Sequence, residues 1–123
     1  MKLLTKDSIF NRKPVFKIEE VQLGEDTIFL RELSAKQLDA TQSAMMKEVK
    51  TSKGIDFVFD KENYRMKMVC ACICDEKGAF LFDIKEHKQL AEIFTADELN
   101  KLYAVVEKLN KLSAQERDNE VKN

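Results

Sequence analysis

No apolar run in this chain approaches the roughly 18 to 20 residues that a membrane-spanning helix needs. The opening Met1-Lys2-Leu3-Leu4 is cut short by Lys6, Asp7, Asn11, Arg12 and Lys13, so it does not read as a secretory leader either. The expectation is a soluble protein, without a membrane partner, that stays in the compartment where it is made. Net charge of one sign is also lacking, since 21 basic and 22 acidic side chains leave a formal charge of -1. That balance provides no global field to draw nucleic acid. Glycine is scarce, and Gly24, Gly54 and Gly78 stand too far apart to build a phosphate-cradling loop. The one histidine, His87, lies in Lys85-Glu86-His87-Lys88 and reads as a surface group on a charged helical face. A general-base role would need a serine or cysteine nucleophile at a recognisable elbow, and the chain offers none.

Cysteine is present in an odd number, three within five positions, which fits reduced thiols in the cytosol better than a disulfide framework. Cys70, Cys72 and Cys74 form Cys-x-Cys-x-Cys, and thiolates bind zinc or copper tightly. On a helix, however, Cys72 points away from the other two, and no fourth ligand stands nearby. An extended segment would align all three. The helical pattern around them favours buried, inert thiols. The acidic pairs Glu19-Glu20, Glu25-Asp26 and Asp75-Glu76 read as turn and strand-rim charges rather than acid/base pairs or cation ligands. No catalytic, cofactor or metal residue is assigned, so a non-enzyme is expected.

What is there is a pattern of elements. In the segment 15–34, Phe16, Ile18 and Val21 alternate with polar positions, Gly24-Glu25-Asp26 turns the chain, and Thr27-Ile28-Phe29-Leu30 resumes it. This is a β-hairpin, and Ser34 is placed to cap the helix that follows. Residues 34 to 50 are expected to form a first long helix with Leu38, Met45 and Val49 on one face. Phe57 and Phe59 alternate within Ile55 to Asp60, which suits a short strand or an ordered loop. Residues 61 to 74 read as the buried helix, with Met66, Val69, Cys70 and Ile73 on one side and Tyr64, Met68, Ala71 and Cys72 nearly opposite. Asp83 is placed to cap a helix through about Glu92, with Ile84 and Leu90 inward. Thr95-Ala96-Asp97-Glu98 is a capping box opening a helix with the stripe Leu99, Leu102, Tyr103, Val106 and Leu109, ending near Leu112.

A chain of 123 residues has room for one domain with a modest core. The fold expected is α+β, an N-terminal β-hairpin packed on a small helical domain of about four helices. Residues 15–112 form that domain. Residues 1–14 read as a mobile arm that pins Ile9 and Phe10 onto the body, and 113–123 as a flexible charged tail. Met46 and the Tyr64, Met68, Cys72 stripe are the candidates for an exposed or self-associating apolar surface, because methionine adapts to varied apolar partners.

The order of these elements resembles the tail assembly chaperone family of long-tailed bacteriophages. The residues that carry the resemblance are the Arg31-Glu32-Leu33-Ser34 join, the Asp75-Glu76-Lys77-Gly78 turn after a buried helix, and Asn110 near the end of the last helix. The similarity spans roughly residues 15 to 112. It implies a protein that binds the tape measure protein, a long, helical and aggregation-prone chain, and keeps it soluble while tube subunits polymerise around it. It further implies a site of action in the host cytoplasm, absence from the mature virion, and a short form whose frameshifted longer partner recruits tail tube protein. No catalytic or metal residues carry over. Two other classes remain: a phage structural connector or tail terminator kept in the virion, and a small metal or redox protein using the three cysteines.

Overall fold

Alternation along the first hairpin closes across Gly24 and Glu25, giving β1 (Ile18–Leu23) antiparallel to β2 (Asp26–Arg31), with Leu23 opposite Asp26 and Ile18 opposite Arg31. Gly24 adopts φ 64, a left-handed turn conformation that a side chain would strain. The computed structural model describes residues 2–111. Before the hairpin lies a short helix, α1 (Lys6–Phe10), capped by Thr5 and Ser8. Its Ile9 and Phe10 are exposed, not pinned to the body: the capping box holds the turn through contacts within 5–8, and none of the helix's residues is buried.

Ser34 caps the next helix, α2 (Ala35–Ser43), as the sequence predicts. Its hydroxyl accepts from the Gln37 amide at 3.1 Å, and Gln37 Oε1 accepts from the Ser34 amide at 2.9 Å. The helix then stops well short of residue 50. Residues Met46–Thr51 form strand β3, paired antiparallel across a two-residue turn with β4 (Gly54–Phe59). The reason is competition. Ile55, Phe57, Val58 and Phe59 have strong strand preference and need a partner, and the nearest unpaired backbone is 46–51, which itself holds Val49 and Thr51. Met45 stays in the core and anchors the ribbon, and the Asp60 amide donates to its carbonyl at 2.7 Å.

Helix α3 (Tyr64–Cys72) begins at Asn63, which is left-handed with φ 61, and gives way to strand β5 (Ile73–Cys74). Ile73 and Cys74 pair with Leu30 and Phe29, so the sheet order is β1-β2-β5. Pairing onto the hairpin therefore ends this helix two residues earlier than expected. Asp75 folds the turn that follows, with its carboxylate accepting from the Lys77 and Ala79 amides. Asp83 caps a single 3-10 turn, Ile84–Glu86, that runs into α4 (His87–Ile93). The Thr95 capping box opens α5 (Ala96–Asn110), whose Leu102, Tyr103, Val106 and Leu109 are buried against α3. The expected end near Leu112 and the charged tail at 113–123 lie outside the described residues. The architecture is α+β, with five α-helices and two small antiparallel sheets among the described residues.

Arg31 joins these parts. Its guanidinium lies between the Phe16 and Phe80 rings, 4.1 and 4.3 Å from their centroids. It donates to the Glu32 and Gly78 carbonyls and to Gln37 Oε1 at 3.0 to 3.1 Å. Gly78 adopts φ 92, and a Cβ there would sit 3.1 Å from Ile18 Cδ1. Nearby, Asn110 Oδ1 accepts from the Leu33 amide at 2.9 Å, while its Nδ2 donates to the Val106 carbonyl and reaches Cys72 Sγ. Arg31→Ala is expected to cost about 2 to 4 kcal/mol, from two lost cation–π contacts and three charge-assisted hydrogen bonds. Arg31→Lys keeps the charge without the fork and should fall between that variant and the parent. Urea midpoints of the three proteins check the order.

Candidate functional site

Cross-strand partners in an antiparallel pair share a face. Met46 opposes Phe59, Glu48 opposes Phe57, and Lys50 opposes Ile55, so one face of the β3–β4 ribbon carries Met46, Ile55, Phe57 and Phe59 together, with Glu48 and Lys50 among them on the β3 side. All six residues of β4 are exposed, with Ile55 at 62%, Phe57 at 59% and Phe59 at 44%. An apolar face this open is unusual on a small protein, and an isolated two-stranded ribbon is marginal in water.

The face continues into the body. At the ribbon's base the Phe59 ring meets Tyr64 with centroids 5.3 Å apart, and Tyr64 in turn meets Tyr103 edge-on at 6.0 Å. Beside them opens a groove of about 590 Å³, walled by Phe59, Tyr64, Met66, Phe94 and Leu99, with Lys61 and Arg65 as its charged lining residues. Arg65 is held by Asn100 Oδ1. Asp60 lies near Lys47 and Lys67, at 3.9 and 3.7 Å, and so ties the ribbon's base to α3.

The four residues predicted for an apolar surface divide. Met46, 44% exposed, lies on the ribbon's apolar face, and half-buried Tyr64 lines the groove. Met68 and Cys72 are 0% exposed and belong to the core, so they form no part of an accessible surface. The physical reason is that α3 is enclosed: α5 packs along one side, α4 and the 3-10 turn along another, and Asn110 reaches Cys72. Sequence reasoning missed Ile55, Phe57 and Phe59 as surface residues. Their alternation was the available signal, and it pointed to a strand without saying that the strand would project.

His87 is buried rather than on the surface, because Nδ1 donates to the Ile84 carbonyl at 2.9 Å and turns the ring inward. The three cysteines are free and buried. Cys70 Sγ donates to the Asp83 carbonyl at 3.2 Å. Burial pushes its thiol up to about 11, with Glu86 and Asp83 adding to the effect. Burial pushes Cys72 up to about 12, against a smaller opposing effect from the Asn110 hydrogen bond. Cys74 is raised too, by burial and then by Asp75. Among the described residues, no group of three or more His, Cys, Asp or Glu side chains is placed to hold a metal ion.

No protein-family model matches the chain, and neither the curated proteins nor the solved structures yield a significant match.

Raised thiol values mean that the folded protein keeps these protons where the unfolded chain loses them. The stabilisation they give is complete below pH 9 and is lost as pH rises toward about 12. Titration with an aromatic disulfide reagent at pH 8 should find three slow thiols in the native protein and three fast ones in denaturant. A fast thiol in the native protein would contradict the buried placement.

Proposed function

We propose that this chain is a tail assembly chaperone of the long-tailed phage type, holding the tape measure protein soluble in the host cytoplasm during tube assembly. The observation that carries this reading is the exposed face of Met46, Ile55, Phe57 and Phe59, continuous through Tyr64 with an apolar groove. A long helical client aggregates through its apolar stripes. A projecting ribbon and a groove offer such a stripe a temporary cover, in the way amphipathic helices lie in grooves on other receptors. Methionine and phenylalanine suit this task because they make large apolar contacts without demanding one geometry.

The framework residues also support the resemblance at the level of architecture. Arg31 meets the Gly78 carbonyl, and Asn110 meets the Leu33 amide, so the join, the turn and the terminal asparagine meet in one structural frame. A chaperone must also let go. Contacts limited to an exposed ribbon and an open groove can be displaced as tube protein closes around the client. In this reading the tube protein is recruited by a longer, frameshifted form, and the chaperone is absent from the finished virion.

Co-expression with the tape measure protein of the same genome tests the proposal. The expected result is a soluble complex that co-elutes on size exclusion. Ile55→Asp and Phe57→Asp should each abolish that complex while leaving the melting temperature within a few degrees of the parent, since both side chains are exposed. Met68→Asp should instead unfold the protein, because it buries a charge in the core. A client that precipitates beside the parent protein, together with rings of this chain retained in purified virions, would replace the chaperone by a structural connector.

A further inference from the structure

The β3–β4 ribbon has two outer edges, and they are not equivalent. The Asp60 amide donates to the Met45 carbonyl at 2.7 Å, which makes Met45 and Asp60 a hydrogen-bonded pair. Alternation then makes 47/58, 49/56 and 51/54 hydrogen-bonded pairs as well. The backbone amides and carbonyls of Met46, Glu48 and Lys50 therefore face outward on one edge, and those of Ile55, Phe57 and Phe59 on the other. On the β4 edge the central donor is already engaged, since the Asp56 carboxylate accepts from the Phe57 amide at 2.8 Å. The β3 edge carries no such cap among the hydrogen bonds described.

Charges along the open edge are self-complementary in one register. An antiparallel pairing of β3 with a second β3, with its two-fold axis at Val49, sets Glu48 opposite the other copy's Lys50 and Lys50 opposite its Glu48. Val49 then faces Val49, and Lys47 faces Thr51. The outward groups of Glu48 and Lys50 meet in this register, which adds about four backbone hydrogen bonds. Moving the axis to Glu48 sets two carboxylates against each other, and moving it to Lys50 sets two ammonium groups together. Both are penalised. A perpendicular axis also keeps Met46, Ile55, Phe57 and Phe59 of both copies on one side of the resulting sheet, with the Glu48–Lys50 contacts between them.

We propose that β3 is a homodimerisation edge, joining two copies of this chain through an antiparallel β3–β3 pair centred on Val49 and flanked by two Glu48–Lys50 contacts. The occupant is a second copy because the edge complements itself. The Glu48 and Lys50 side chains share their face with Met46, Phe57 and Phe59, and the test below reads self-association alone, whatever else that face binds. It yields a four-stranded sheet, β4-β3-β3-β4, in which the marginal two-stranded ribbon gains support. Were Lys47, Glu48 and Lys50 instead to defend an edge strand against pairing, the chain would stay monomeric in the experiment that follows.

Sedimentation equilibrium of the full chain over micromolar concentrations should show a reversible monomer–dimer equilibrium. Glu48→Lys and Lys50→Glu should each weaken the dimer roughly tenfold or more, by replacing two opposite-charge pairs with two like-charge pairs. The double variant E48K/K50E should restore it to near the parent value. All of these side chains are exposed, so circular dichroism should be unchanged. Val49→Cys should form a disulfide-linked dimer on mild oxidation, because Cα atoms in a non-hydrogen-bonded pair lie about 4.5 Å apart, within the span of a disulfide. Ser52→Cys should not, since the register places it far from its own copy, and the parent should not, since its cysteines are buried. A monomer at every concentration, a dimer indifferent to the charge changes, a double variant as weak as the singles, or equal cross-linking at 49 and 52 would each overturn the proposal.

Discussion

The Arg31 guanidinium makes three distant segments agree on one geometry. It closes the end of β2, holds the Gly78 carbonyl of the turn after β5, and touches Gln37, the residue that also caps α2. Two aromatic rings, Phe16 and Phe80, cover its flat faces. A planar guanidinium can lie between two rings and donate from its edge at the same time, whereas a tetrahedral ammonium has no flat faces for two rings to cover. Because Gln37 Oε1 serves both Arg31 and the Ser34 amide, the direction in which α2 leaves the hairpin depends on the position of the guanidinium. The close approach of Gly78 to Ile18 follows from the same clamp.

Within that frame the core is unusually rich in sulfur. Met45, Met66, Met68, Cys70, Cys72 and Cys74 are all buried, alongside Leu30, Val69, Ile73, Leu102 and Val106. Helix α3 supplies most of them, and its C-terminal part, from Met68 to Cys72, is apolar all round, which works only because neighbours cover it on several sides. Flexible thioethers and small thiols fill irregular space between a short helix and a narrow sheet more readily than branched side chains do. The same enclosure suppresses thiolate formation at Cys70 and Cys72.

Features set by neighbours in sequence are legible without a structure. The first hairpin, the caps at Ser34, Asp83 and Thr95, and the stripe of α5 all depend on spacings of a few residues, and each stands where the pattern puts it. Residues 44–60 are not legible in this way. Met45 and Val49 fit a helical face, and only the pairing demand of Ile55 to Phe59 draws 46–51 into a strand. The apolar surface misled for a related reason. Tyr64, Met68 and Cys72 form a stripe on α3, yet whether a stripe is covered depends on how many neighbours pack around it. His87 was misread because its charged neighbours in sequence say nothing about the direction of its ring.

The ribbon leaves the body after Met45 and returns at Asp60, with a single backbone hydrogen bond joining the two points. Everything between them is an excursion whose strand pairing is satisfied within itself. The hydrogen bonds of the frame around Arg31 involve no residue of that excursion, so a change of length or sequence between Met46 and Val58 leaves them in place. The hairpin is in this sense a module that one backbone contact and its base hold to the body.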